Sequence, residues 1–297
     1  MNTAPALELR ELSKRYRDSL ALDSVTTTLE AGRIYGLLGR NGAGKSTLMS
    51  LATAQAFPSS GEALVFGHAA YERRETLAKI CFVKESQKYP DEFKVHHAIK
   101  AASIAFPHWE APLAEQLVKD LRLPLNRRIK KLSRGQLSAV GIVIGLASRA
   151  PLTFFDEPYL GLDAVARQVF YDTLLDDFAE HPRTVVLSSH LIDEVADVLE
   201  HVLLLEGGRL VLDAPVEEVR GAVTTLQGPT AAVLQTAGTF EVLARRDLGP
   251  VTQMSVRGRI EGAAKSAAEA AGVGVEAESL QQTIVHLTRA ADAASAA

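Results

Sequence analysis

Hydrophobic and polar positions change rhythm several times along the chain. Residues 7–30 alternate in two short runs, LELRELSKRY and LALDSVTTTLE, the period-two pattern of strands in a meander. IYGLLG is then a short apolar run, a glycine-rich turn follows, and KSTLMSLATAQ takes up the helical period. SSGEALVFGHA predicts another strand, and KICFVKE a strand whose end becomes a loop over residues 85–91. Residues 94–125 are mostly helical in pattern, broken at FPHW and by Pro124. After KLSRGQ come a long apolar helix, the strand LTFFDEP, a helix over residues 164–180 and the strand TVVLSSH. An amphipathic helix, LIDEVADVLE, and a hairpin, HVLLLEGGRLVLD with Gly207–Gly208 at its turn, complete this part.

Apolar strands alternating with helices predict a mainly parallel α/β core. The N-terminal runs predict an attached antiparallel β subdomain, and residues 86–132 a helical subdomain. Composition shifts near residue 221, which divides the chain into a large domain over 1–221 and a small α+β domain over 222–297. In the latter, AVTTLQ, TFEVLARR, VTQMSVRG and VGVEAES read as strands, with helices at PTAAVLQTA and EGAAKSAAEAAG. The order βαββαβ is that of a ferredoxin-like unit. LQQTIVHLTRA is a last helix and DAASAA a frayed end.

Composition narrows the function classes. The chain has 297 residues, 47% of them hydrophobic, enough for one large core and a smaller one. A net charge of −4 gives no basic surface for nucleic acid. The single cysteine, Cys81, lies in the apolar run KICFV and reads as a small core residue. No apolar stretch reaches the 18 or so residues of a membrane span, so any action at a membrane goes through a partner.

Chemistry gathers at four places. Gly39-Arg-Asn41-Gly42-Ala-Gly44-Lys45-Ser46-Thr47 satisfies the phosphate-loop pattern between a strand and a helix. Its backbone N–H groups converge on phosphate oxygens, Lys45 reaches the β and γ phosphates, and the Ser46 hydroxyl ligates Mg²⁺. The strand 152–155 ends in Asp156-Glu157, where ligands meet such sheets. Asp156 suits Mg²⁺ and Glu157 the polarisation of an attacking water; alone, such a pair is as ordinary as a capped turn. The next strand closes on Ser188-Ser-His190, within reach of a γ-phosphate. Ser133-Arg134-Gly135-Gln136 opens a helix and offers a second anion loop with no lysine of its own. Within one chain that is redundant; it makes sense if it closes the site of another chain.

LSRGQ resembles the LSGGQ signature of the ATP-binding cassette (ABC) ATPases, and the resemblance covers about residues 7–220 with the motifs in order. It implies ATP and Mg²⁺ as cofactors. Two nucleotide domains would pair head to tail, each ATP lying between one phosphate loop and the other chain's signature loop. Tyr16 stands where the family's adenine-stacking aromatic lies, although it could simply pack on the sheet. Gly161-Leu162-Asp163 matches the loop crossing the dimer interface, and His190 the switch histidine. Two departures stand out besides Arg40, which replaces the usual proline. Arg134 replaces the second signature glycine. Glu85 falls at the position of the glutamine that joins metal to helical subdomain, with Gln87 two residues on as the alternative.

The resemblance implies the ATPase subunit of an ABC transporter on the inner face of the cell membrane, with a separate integral membrane permease and a second nucleotide-binding domain. The ending AESLQQTIVHLTR is similar to the SLEEVFLxLT of many ABC-2-type exporter ATPases and points to export. Two alternatives stay open. A soluble ABC ATPase on ribosomes or DNA usually has two cassettes or long insertions, absent here. A regulatory module that binds ATP with little hydrolysis is kept alive by Glu85.

Overall fold

The computed structural model describes residues 4–71, 73–84 and 87–295. The chain forms two compact units, one of residues up to His190 with Val198–Asp213, the other of Leu191–Asp197 with the chain from Ala214 onward. The second unit thus takes in a segment that the composition shift near residue 221 does not mark.

In the first unit, β1 (Leu7–Tyr16) and β2 (Ser19–Leu29) form an antiparallel pair. β3 (Ile34–Leu38) is buried at every position and runs into the phosphate loop and α1 (Lys45–Ala52). β4 (Ser60–Val65) and β5 (His68–Ala69) return to the first sheet, whose order is β2-β1-β4-β5. α2 (Arg74–Leu77) leads to β6 (Ile80–Val83), and α3 (Val95–Ala105) and α4 (Ala111–Asp120) supply the helical region, interrupted at FPHW. α5 (Arg134–Ala147), β7 (Leu152–Asp156), α6 (Ala164–Glu180) and β8 (Thr184–Ser189) follow. Beyond α7 (Ile192–Val195), β9 (His201–Glu206) and β10 (Arg209–Pro215) make the hairpin. Gly207 and Gly208 turn it at φ +52° and +83°, the pair of positive φ values that a primed two-residue turn needs.

The second sheet has the order β10-β9-β3-β8-β7-β6, with β9, β3, β8, β7 and β6 parallel. LTFFD and TVVLSS are buried throughout, as a sheet covered on both faces requires. Cys81 lies in this core, 2% exposed, and burial pushes its thiol up to about 12. The register sets Asp156 beside Ser188 and Leu38 beside Ser189. One edge of the sheet therefore collects the ends of three strands and the chemistry they carry.

The second unit holds α7, α8 (Val216–Val219), β11 (Val223–Pro229), α9 (Thr230–Ala237), β12 (Val242–Leu248), β13 (Val251–Arg257), α10 (Gly262–Ala270), β14 (Gly274–Ala277) and α11 (Leu280–Ser295). Its sheet order, β12-β13-β11-β14, is antiparallel at every pairing, the arrangement of a ferredoxin-like unit. Leu226, Met254, Val256 and Val275 form one buried face with Val233 and Ala268 from its helices. α11 packs against α7 and α8, and the Gln281 backbone N–H donates to Asp193 Oδ1 at 3.3 Å.

Two expectations change. LIDEVADVLE forms a helix of four residues only. Leu199 must turn its side chain over Gly36, where a Cβ would meet Leu199 Cδ1 at 2.3 Å, and the Glu200 N–H must reach Ile34 O at 2.9 Å to start β9. Continuing the helix would forfeit both. At the other end, helix persists through Ser295, across most of DAASAA.

α5 approaches the sheet through two glycines. A Cβ on Gly145 would lie 2.3 Å from the Phe155 ring and 2.9 Å from Val83, and one on Gly141 would lie 2.6 Å from Val83. Alanine gains about 1 kcal/mol of helix propensity, whereas forcing a methyl into a packed contact costs roughly 1–3 kcal/mol. Gly145→Ala is therefore expected to lower stability by about 1 kcal/mol, read as a lower urea midpoint; a raised midpoint would contradict this packing.

Candidate active site

The phosphate loop folds onto the β9–β10 hairpin. The Gly208 N–H donates to Ala43 O at 3.1 Å, and a Cβ on Gly39 would stand 2.3 Å from Leu205 O, so the loop lies tight against this backing. Gly44, at φ +109°, starts α1 in a conformation that L residues avoid. Asn41, Gly42, Gly44, Lys45, Ser46 and Thr47 line a cavity of about 180 Å³, together with Asp156 and Glu157. Gly39 enters through its carbonyl: Lys45 Nζ donates to it at 2.6 Å and to Arg40 O at 3.3 Å. Lys45 is 6% exposed, a burial that an ammonium tolerates only with such partners.

Across the cavity, Asp156 and Glu157 leave the end of β7. Asp156 Oδ1 accepts from Ser188 Oγ at 2.7 Å, and the Ser46 hydroxyl also bonds this carboxylate. Burial pushes the Asp156 carboxyl above the usual range, against the hydrogen bonds of Ser188 and Ser46; the nearby Glu157 charge raises it further and Lys45 opposes. Glu157 adopts φ +50°, a left-handed conformation that costs a non-glycine residue about 1–3 kcal/mol. Its N–H donates to Ser188 Oγ at 3.0 Å. Its Oε2 lies 2.8 Å from His190 Nδ1 and accepts from the Tyr159 hydroxyl, while Oε1 has no hydrogen bond and faces Lys45 Nζ at 3.5 Å.

Sequence reasoning passed over two of these groups. Tyr159, 1% exposed, was hidden inside DEPYLGLD, where only the carboxylates and Asp163 carry an obvious chemistry. Ser188 stood in the sequence only within the strand end Ser188-Ser-His190, with no role of its own toward Asp156; its position at the end of the strand after Asp-Glu was the available signal.

Other predicted residues lie elsewhere. Tyr16 ends β1 with 47% of its surface exposed, its ring faced by Lys14 Nζ at 4.9 Å, and it does not line the phosphate cavity. Ser133 and Gln136 close a capping box: Gln136 N–H donates to Ser133 Oγ and Ser133 N–H to Gln136 Oε1, each at 3.2 Å. Two N–H groups expected to face an anion are thus committed to α5 itself. Gly135 is required by backbone packing, since a Cβ there would meet Gly161 O at 2.1 Å. Asp163 caps α6, accepting from the Ala166 N–H at 2.8 Å. None of Ser133, Gly135, Gln136 and Asp163 lines this chain's own cavity. Glu85 lies outside the described residues. The basic run 127–131 is met by acid: Arg128 pairs with Glu92 at 2.9 Å, and Lys130 lies 3.6 Å from Asp91.

A strand, a glycine loop with buried lysine, and two adjacent carboxylates at the end of β7 make a site for a nucleoside triphosphate. Residues 22–160 match the family described as ABC transporter. AlbC of Bacillus subtilis (strain 168), an ABC transporter ATP-binding protein by name, is 31% identical over 233 residues, covering 71% of this chain and 92% of the relative. YtrB of the same organism, named an ABC transporter ATP-binding protein, is 27% identical over 221 residues, with 74% and 76% covered. The Nod factor export ATP-binding protein I of Neorhizobium galegae is 29% identical over 233 residues, with 74% and 67% covered. Among solved structures, an ATP-binding subunit of an ABC transporter superposes with a TM-score of 0.65 at 24% identity, covering 72% of this chain and 91% of that one. A dimeric ATP-binding cassette with bound ADP and phosphate superposes at 0.62 and 21% identity, with 71% and 98% covered. The chain belongs to the ATP-binding proteins of ABC transporters. It is an ATPase, the nucleotide-binding subunit of a transporter.

Keeping Asp156 ionised in a buried place works against folding. Asp156→Asn preserves the acceptor for Ser188 and removes the charge, and is expected to raise unfolding free energy at pH 7 by on the order of 1 kcal/mol. The folded carboxyl titrates above its ordinary 3.8, so the native protein binds the extra proton and loses stability as pH rises through that window. The advantage of Asn should accordingly shrink as pH is lowered. Urea unfolding at several pH values measures it; an Asn variant less stable at pH 7 would contradict this reading.

Proposed function

We propose that this ATPase drives a separate integral membrane permease, as an exporter, from the cytoplasmic face of the cell membrane. Among the described residues no helix is long and apolar enough to cross a membrane, which suits a subunit that reaches the bilayer through a partner. A relative named for Nod factor export supports the export direction. The helical region formed by α3 and α4 is the surface that would dock the permease.

The observation that carries the site assignment is the meeting of Lys45, Asp156 and Glu157 around one cavity. Lys45 and the loop N–H groups offset phosphate charge as it redistributes in the transition state. The donor set fits Mg²⁺: the Ser46 hydroxyl and the Asp156 carboxylate are hard oxygen ligands already bonded to each other. One or two such groups, completed by phosphate oxygens and water, are how Mg²⁺ is usually held. Bound there, the ion would neutralise charge on the β and γ phosphates. Glu157 Oε1, the carboxylate oxygen without a hydrogen bond, takes the water proton or orders that water. His190 holds Glu157 Oε2 through Nδ1, which leaves Nε2 to contact the γ-phosphate.

Ser133, Gly135 and Gln136 act in trans. They do not line the cavity of their own chain, and a second copy or a homologous chain would present them to this ATP, with Asp163 at the interface. Tyr16 stacks on the adenine, its ring standing exposed at the end of β1. Closing on two ATP molecules and opening after hydrolysis is a two-state switch set by the γ-phosphate.

Glu157→Gln is expected to cut turnover by roughly 10²–10⁴, the range of general-base catalysis, while ATP binding stays intact. Steady-state hydrolysis and equilibrium ATP titration measure the two quantities. Undiminished hydrolysis removes Glu157 from the role.

A further inference from the structure

Glu157 offers two carboxylate oxygens in unlike surroundings. Oε1 has no hydrogen bond and faces the cavity lysine, while Oε2 is bonded on two sides, by His190 Nδ1 at 2.8 Å and by the Tyr159 hydroxyl. These two partners differ in kind. The His190 side chain is 30% exposed, belongs to the residue closing β8, and is the group placed above to contact nucleotide. Tyr159 is fixed. Its ring is 1% exposed, its hydroxyl lies 2.9 Å from Ser189 Oγ, and the Arg167 guanidinium stands 5.8 Å from the ring centroid. Its backbone is pinned as well, because the Tyr159 carbonyl accepts from the Leu162 N–H at 3.1 Å.

We propose that Tyr159 is a positioning residue for ATP hydrolysis: its buried hydroxyl holds Glu157 by Oε2 so that Oε1 is the oxygen presented to the attacking water. This rests on the assignment of Glu157 as the water-activating carboxylate. A glutamate side chain has three rotatable bonds, and its carboxylate can exchange its two oxygens by a half-turn. A donor on one oxygen removes that freedom, and it removes it before the water arrives. The φ of +50° at Glu157 fixes the root of the side chain, and Tyr159 fixes the tip. Tyr159 also keeps its proton: burial first, then the bond to Glu157, raise its ionisation far above the working pH. It therefore donates in every protonation state of His190, including one in which the imidazole leaves Oε2 to meet nucleotide.

A purely structural tyrosine would do something else. A ring that only fills the core would be replaced by phenylalanine with little effect, since the volume and the apolar surface are kept. A hydroxyl that only satisfied itself on Ser189 would change stability and leave the chemical step alone.

The test uses the full chain with Mg-ATP and three variants, Tyr159→Phe, Glu157→Gln and the double variant. ATP-binding stoichiometry counts the folded fraction in each. Tyr159→Phe is expected to lower kcat by about 10- to 100-fold, the usual loss when a partner that orients a charged group is removed, with KM for ATP and binding stoichiometry unchanged. In the Glu157→Gln background the same substitution should lower the residual kcat less than twofold, because the group it orients is already gone. Tyr159→Phe with kcat within twofold of wild type overturns the proposal, as does a loss carried wholly by KM. So does an undiminished second loss in the double variant, which would mean Tyr159 acts on something other than Glu157. If Glu157→Gln alone hydrolyses ATP normally, it is the assignment of Glu157 that has failed.

Discussion

Everything at this site depends on the parallel pairing of β7 with β8 and of β8 with β3. That register places Asp156 beside Ser188 and Leu38 beside Ser189, so the carboxylates, the serines and the phosphate loop leave the sheet at one edge. A slip of one residue would turn each side chain to the opposite face and take Ser188 away from Asp156. The apolar interior of the strands therefore decides the geometry of the polar ends. Val185, Leu187, Phe154 and Phe155 are all fully buried, and they hold a constellation that is costly on its own terms.

The cost is visible in the charges. Lys45, Asp156 and Glu157 are each less than a tenth exposed. Removing such ions from water is repaid only where partners are well placed, and buried ion pairs are seldom retained for stability alone. Here the pairing is incomplete by design of the geometry: Lys45 and Glu157 stand 3.5 Å apart and one carboxylate oxygen carries no hydrogen bond. A left-handed glutamate adds strain. Unmet electrostatic demand at a preformed cavity is what a triphosphate with its metal and water satisfies, and it is where an ATPase concentrates its transition-state stabilisation.

Much of this was legible in the sequence because the informative signals were local. The phosphate loop, the apolar strand ending in Asp156-Glu157 and the βαββαβ order of the tail each occupy a contiguous stretch whose pattern states its own geometry. What escaped was side-chain contact, some of it within one stretch and some between stretches. Tyr159 reaches Glu157 across a turn, and nothing in its neighbours marks it as more than a bulky residue. Gly135 read as a phosphate contact, whereas its close approach is to Gly161, a neighbour 26 positions later that only the fold reveals. Ser133 and Gln136 spell a capping box as clearly as an anion loop, and within the chain the box is what forms. The helix after His190 stops early because Leu199 is wanted over Gly36, a demand of tertiary packing that overrides the helical period.

The central claim is that this edge of the sheet hydrolyses ATP on behalf of a membrane permease. It is tested most directly by recovering tagged Glu157→Gln protein from its native membranes with Mg-ATP present. The account predicts that a polytopic membrane protein comes with it, and does not come with a Lys45→Ala control. Recovery of ribosomal or DNA-bound factors alone, from protein whose wild type hydrolyses ATP, would contradict it.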